Sequence, residues 1–135
     1  MSLRPDLNGQ RFTRPSDGAV FLVDEGQLRH IPNQQTYAQM FRNWNGIQTD
    51  EAILSSVQVG PPYDIATKIV AVEGKPHIYL LTYGAPGQVI KRHVTDWDTM
   101  DHYNFADPRE GGTGNIINPS QDASIPEGSP ISFKK

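Results

Sequence analysis

Two Arg-His pairs stand at matching places in the chain, Arg29-His30 in "LRHIPNQQTY" and Arg92-His93 in "IKRHVTDWDTM". Each pair closes an apolar segment of strand-like composition. A guanidinium beside an imidazole offers several directed hydrogen-bond donors, the equipment for holding an anionic group or a sugar. Two such pairs predict two equivalent ligand sites, at Arg29/His30 and at Arg92/His93. Neighbouring strand residues point to opposite faces, so one member of each pair must face inward. In the plainer account each His bonds a backbone carbonyl or helix cap, and each Arg packs over an aromatic ring.

Aromatic side chains are the second source of binding chemistry. Trp44, Trp97, Tyr37, Tyr63, Tyr83 and Tyr103 are all candidate stacking platforms. Tyr37, Trp44 and Tyr103 fall on helical apolar faces and are assigned to the core. Tyr83, in the loop "TYGAPGQ", is the aromatic expected to be exposed, with Tyr63 after "GPP" next. Tyr83 therefore joins Arg29, His30, Arg92 and His93 as a candidate ligand-binding residue.

Signals for catalysis or metal binding are weak. His77 and His102 complete the histidines, and there is no HExxH and no cysteine; neither a zinc signature nor a thiolate nucleophile is present. "DWDTMD" lacks the Gly and Glu that an EF-hand loop requires, and its acids fit a helix cap and first turn. "EGGTGN" at 110–115 matches no phosphate-binding fingerprint. No catalytic residue and no cofactor is implied.

The elements that must position these residues recur. "AVFLV" at 19–23 and "QLRHI" at 27–31 read as strands joined by a tight turn at Gly26. Asn33 then caps a helix whose apolar face is Tyr37, Met40, Phe41 and Trp44, with Gly46 beyond it. A short amphipathic stretch, "TDEAILSSV", follows with Thr49 or Asp50 as cap. The second half runs in the same order: two strands around Glu73-Gly74, the return strand "QVIKRHV", and a helix capped by Thr95 or Asp96. Met100, Tyr103 and Phe105, with Trp97 one turn earlier, are expected on that helix's inner face. "ADPREGGTGNIINPSQDA" reads as a long surface loop, a rim for any site over 107–120.

A shorter echo links "SVQVGPPYDI" at 56–65 with "SIPEGSPISF" at 124–133. It predicts that the C-terminal segment begins a unit it does not finish, and pairs with the first unit to cover an open edge. The expected fold is α+β, mainly β: two hairpin-plus-short-helix repeats in pseudo-twofold arrangement, closed by a C-terminal strand. All 135 residues form one domain, with unit one at about 8–55, unit two at about 56–123, and the closing strand at about 124–133.

This pattern of apolar strand, Gly turn, Arg-His-aliphatic strand and aromatic helix resembles a tandem repeat module of bacterial proteins of uncertain function. The resemblance covers roughly 17–45 and 76–106, and departs where Thr95 replaces the proline seen at Pro32. Such modules are similar to accessory parts of exported or surface-associated proteins, which implies binding rather than catalysis.

Composition narrows the partners. A formal charge of −3 gives no broad attraction to nucleic acid or anionic membrane. No apolar run approaches the ~20 residues of a membrane span, and "MSLRPDLNGQRF" has no signal-peptide core. The default compartment is therefore the cytoplasm, with the exported setting left open by the resemblance. The expected function is a non-catalytic binding module for carbohydrate or a protein surface. The alternatives are a small hydrolase using His and Asp brought together by folding, and a purely structural unit that forms homo-oligomers.

Overall fold

The computed structural model describes residues 2–85, 88–109 and 115–133, with the side chains of 83–85 outside that description. The fold is α+β and mainly β. Strands β1 (Arg11–Arg14), β2 (Ala19–Asp24) and β3 (Gln27–Ile31) form an antiparallel sheet in that order. Strands β4 (Lys68–Val72), β5 (Ile78–Ala85), β6 (Gln88–His93) and β7 (Ile116–Ile117) form a second, ordered β6-β5-β4-β7. The described residues also form a 3-10 turn at Pro5–Leu7 and four short α-helices: α1 (Gln34–Met40), α2 (Glu51–Ser56), α3 (Trp97–Tyr103) and α4 (Pro119–Ser124). None of the described helices is long and apolar enough to cross a membrane.

Local chemistry explains most boundaries. Between β2 and β3 both Glu25 (φ 53°) and Gly26 (φ 74°) are left-handed, the requirement of a two-residue hairpin turn that matches strand twist. Asn33, Asp50 and Asp96 each cap a helix by accepting a backbone N–H three residues on. Helix α1 stops at Met40, one turn short of the periodicity that includes Trp44. There the opposite half of the chain takes over: Phe41 turns extended and bridges Phe105, and Arg42 N–H donates to the Asn104 carbonyl at 3.0 Å.

The inner faces of the two sheets meet across one core. Leu22, Ile31, Tyr37 and Phe41 from the first half pack with Leu80, Val94, Met100 and Phe105 from the second. Each outer face buries a smaller cluster. Phe12, Phe21, Val23 and Leu28 lie beneath Ile53 and Leu54 of α2. Val70, Val72, Tyr79 and Leu81 lie with Ile117 and Ile125 at the ends of α4.

Hydrogen bonds recur at fixed offsets along the chain. Tyr63 N–H donates to the His30 carbonyl as Ile131 N–H does to that of His93, and Gly60 meets Leu28 as Gly128 meets Lys91. The C-terminal segment thus runs beside β6, bridging Lys91 to Glu127 and Val94 to Ile131. The expectation that it would pair with the first unit is corrected. Residues 57–63 already run beside β3, with a Leu28–Val59 bridge, and complete that unit themselves. The supposed long loop at 107–120 also contains β7 and the start of α4, which Asn118 and Gln121 cap reciprocally.

Candidate functional site: two hollows where strand meets helix

Alternation along β3 and β6 splits each Arg-His pair, sending arginine inward and histidine outward. Arg29 and Arg92 are only 8% and 4% exposed. They converge on Asp24, itself 2% exposed, with Nη1 atoms 3.4 Å (Arg29) and 2.5 Å (Arg92) from its Oδ2. The Tyr63 hydroxyl donates to the same oxygen at 2.8 Å. Each guanidinium is anchored a second time, Arg29 Nε on the Pro61 carbonyl and Arg92 Nε on that of Ser129, both at 2.9 Å. Glu25 lies 3.4 Å from Arg92 and brings the cluster to two cations and two carboxylates. Burial first, and the adjacent Asp24 charge next, push the Tyr63 phenol well above its usual range and keep it a donor.

The placement of Arg29 and Arg92 on a ligand surface is therefore corrected. A buried charge is stable only when paired and hydrogen-bonded, and Asp24 supplies the pairing from within. Tyr63 is corrected as well: it is buried, and its ring lies 4.1 Å from the Arg29 guanidinium carbon. Tyr83 belongs to β5, but its side chain lies outside the described residues. His102 stands apart, its Nε2 2.7 Å from the Asn8 carbonyl and its ring stacked on Phe133.

His30 and His93 behave differently, for each is half-buried and lines a surface hollow where the strand gives way to the next helix. The hollow at His93, about 420 Å³, is bounded by His77, Thr95, Asp96, Trp97 and Arg109 over a floor that includes Met100. The His77 and His93 rings are 5.3 Å apart, and Tyr79 lies 5.5 Å from His93. Arg109 is held by hydrogen bonds from Nη2 to the carbonyls of Lys75 and His77. Asp96 accepts both the amide and the hydroxyl of Thr99 at 2.8 Å, bonds that lower its pKa and keep the carboxylate charged. The hollow at His30 is about 310 Å³ and occupies the corresponding place in the first half.

No family model matches the sequence, and neither a curated protein nor a solved structure matches the chain. The site therefore has to be read from its own chemistry. A half-exposed indole beside imidazole, guanidinium and carboxylate groups pairs an apolar surface with convergent polar ones, the composition of small-ligand pockets of ~300–1,000 Å³. Among the described residues no group of three His, Asp or Glu is placed to hold a metal ion.

Sequence reasoning missed His77 and Arg109 as lining residues, and it placed Trp97, one of its candidate platforms, on the inner face of α3. Trp97 has the spacing of an inner-face residue, yet it is 54% exposed in the first turn of α3. One signal was available: the residue 63 positions earlier is Gln34, a polar side chain at the same step after the cap. Arg109 does come from the 107–120 stretch expected to supply a rim; residues 110–114 lie outside the described ones.

Proposed function

We propose that the chain is a non-catalytic binding module that takes carbohydrate in the hollow at His93. The observation that carries this reading is Trp97: a large aromatic, normally drawn inward, stands half-exposed beside two histidines and an arginine. Sugar rings have an apolar C–H face that an indole can cover, and hydroxyls that imidazole and guanidinium can bond. The resemblance to an accessory tandem module points the same way, towards binding. The two halves are read as copies of one unit, which the recurrence of their hydrogen bonds supports.

The test is a glycan-array screen of the purified chain beside its Trp97→Ala and His93→Ala variants. Wild-type chain retains a coherent set of glycans, and Trp97→Ala loses at least about tenfold in affinity, as expected when a stacking contact of ~1.5 kcal/mol is removed. Equal binding by wild type and Trp97→Ala would refute the placement. A blank array would refute carbohydrate as the ligand class.

A further inference from the structure

We infer that the hollow at His30 is a second carbohydrate site, so that one chain holds two sugar units and grips a polysaccharide bivalently. This rests on the carbohydrate reading of the His93 hollow and extends it to the first half. The two hollows are built from corresponding stretches. Gly18–Val20 and His30–Gln34 bound one, and Pro76–Ile78 and His93–Trp97 bound the other.

The chain contains two tryptophans, and each lines one of these hollows. Trp44 is 50% exposed and Trp97 54%. They occupy different places in their units, one following its helix and one opening it. Inheritance of one core position does not account for both. What they share is the hollow.

Trp44 is the more firmly mounted of the two. Its ring stacks on Tyr37 with centroids 3.8 Å apart and planes 12° from parallel. The Tyr37 hydroxyl is fixed in turn, donating to the Asn43 carbonyl at 2.6 Å while Arg11 Nη1 lies 2.6 Å away. Arg11 Nη2 also bonds the Asn45 carbonyl at 2.7 Å, pinning the backbone beside the indole. With one face on Tyr37, the exposed part of Trp44 is the opposite face and edge. A platform held this way loses little freedom when a ligand settles on it.

The polar groups around it suit an uncharged sugar. His30 and Gln34 can donate and accept. The Asp17 carboxylate, bound in bidentate fashion by Arg14 at 2.6 and 3.0 Å, is held down to about 2 by that arginine and stays an acceptor for hydroxyls. Among the described residues no arginine lines this hollow, whereas Arg109 lines the other. The ligand class is a neutral pyranose of a glucan or chitin-like chain.

Two tryptophans give two indole N–H signals in a nitrogen–proton correlation spectrum, one reporting each hollow. The labelled chain is titrated with cellopentaose, chitopentaose and pentagalacturonate, the signals being assigned with Trp44→Phe and Trp97→Phe. One neutral oligosaccharide is expected to move both signals to saturation. Trp44→Phe should leave the Trp97 isotherm within about twofold, yet cut retention on the matching insoluble polysaccharide at least tenfold, since linked sites multiply avidity by ~10²–10⁴. Movement of the Trp97 signal alone overturns the second site and leaves the first standing. Movement of Trp44 alone overturns bivalency. If neither signal moves with any probe, both readings fall.

Discussion

Replacing Lys91 and Asp122 together by leucine should leave the protein as stable as before, or make it more so, although either replacement alone damages it. Lys91 Nζ lies 2.6 Å from Asp122 Oδ1 and donates to the Asp122 carbonyl at 2.7 Å, and both side chains are only 9% exposed. Lys75, half-exposed, approaches the other carboxylate oxygen at 3.4 Å. Breaking a buried pair strands one charge and costs about 3–5 kcal/mol. Lys91→Leu should fall near the lower end, because Lys75 still partly compensates Asp122. Asp122→Leu should reach the upper part, because the Lys91 ammonium loses its carboxylate and keeps the residue 122 carbonyl and the Tyr79 ring 5.0 Å away. The other half of the chain shows the apolar alternative: the corresponding residues are Leu28 and, on α2, Leu54, which pack in one cluster. Swapping a buried pair for such residues is typically neutral or stabilising by ~1–4 kcal/mol. For a chain of this size Lys91→Leu lowers Tm by roughly 10 °C and Asp122→Leu by roughly 18 °C, and the double change restores it. Acid adds a second readout. Lys91 holds the Asp122 pKa below its ordinary value, so this pair's stabilisation is complete above the unfolded carboxyl pKa near 4 and is lost as pH falls through the lower folded value. The double variant should lack that part of the acid-induced loss. Urea unfolding at pH 7 and pH 3, followed by circular dichroism, measures both effects. A double variant no more stable than the worse single one would refute the reasoning.

Two further outcomes follow from the centre of the fold. Asp24→Asn should cost about 3–5 kcal/mol in urea unfolding, because two buried guanidiniums lose their shared carboxylate and Glu25 reaches only Arg92; a loss under about 1 kcal/mol would show that the cluster does not hold the sheets together. Removing residues 126–135 should lower Tm by more than about 10 °C, since it uncovers the β6 edge, empties the site of buried Ile131 and deletes the Ser129 carbonyl that anchors Arg92. An unchanged melting temperature would refute that role.

Strands β2, β3, β5 and β6 were legible because apolar runs bounded by Gly turns carry a local signal. The caps at Asn33, Asp50 and Asp96 were legible for the same reason. Strand β1 was not: "RFTR" alternates charged and apolar residues, and it is a strand because β2 pairs with it. Helix α4 was hidden inside a polar stretch, although Asn118, Pro119 and Gln121 spell a capping box. The candidate site was half legible. Strand alternation required one of Arg29 and His30 to face inward, but which one depends on Asp24, whose role as an internal partner is set by tertiary packing. Trp44 was assigned to the core by a periodicity that the Phe41–Phe105 bridge interrupts one turn earlier.

The differences between the halves lie in particular places, and that bears on function. The inner faces keep the same devices: an arginine whose Nε meets a backbone carbonyl, an aliphatic residue beside it, and a Phe-to-Phe bridge across the centre. A shared interface constrains both halves at once, because changing one side strands its partner. Asp24 makes the point, for a single carboxylate serves both arginines, and the corresponding residue in β5 is Thr82, facing Thr67 instead. Outside that interface the pairs diverge, from Leu28/Leu54 to Lys91/Asp122 and from Gln34 to Trp97. The hollows straddle that boundary: Ile78, Val94 and Met100 in one, and Ile31 and Tyr37 in the other, belong to the shared core, whereas Gln34 and Trp97 differ at the rim. The charged groups at the two rims differ accordingly: Asp17 lines the hollow at His30, whereas Asp96 and Arg109 line the one at His93.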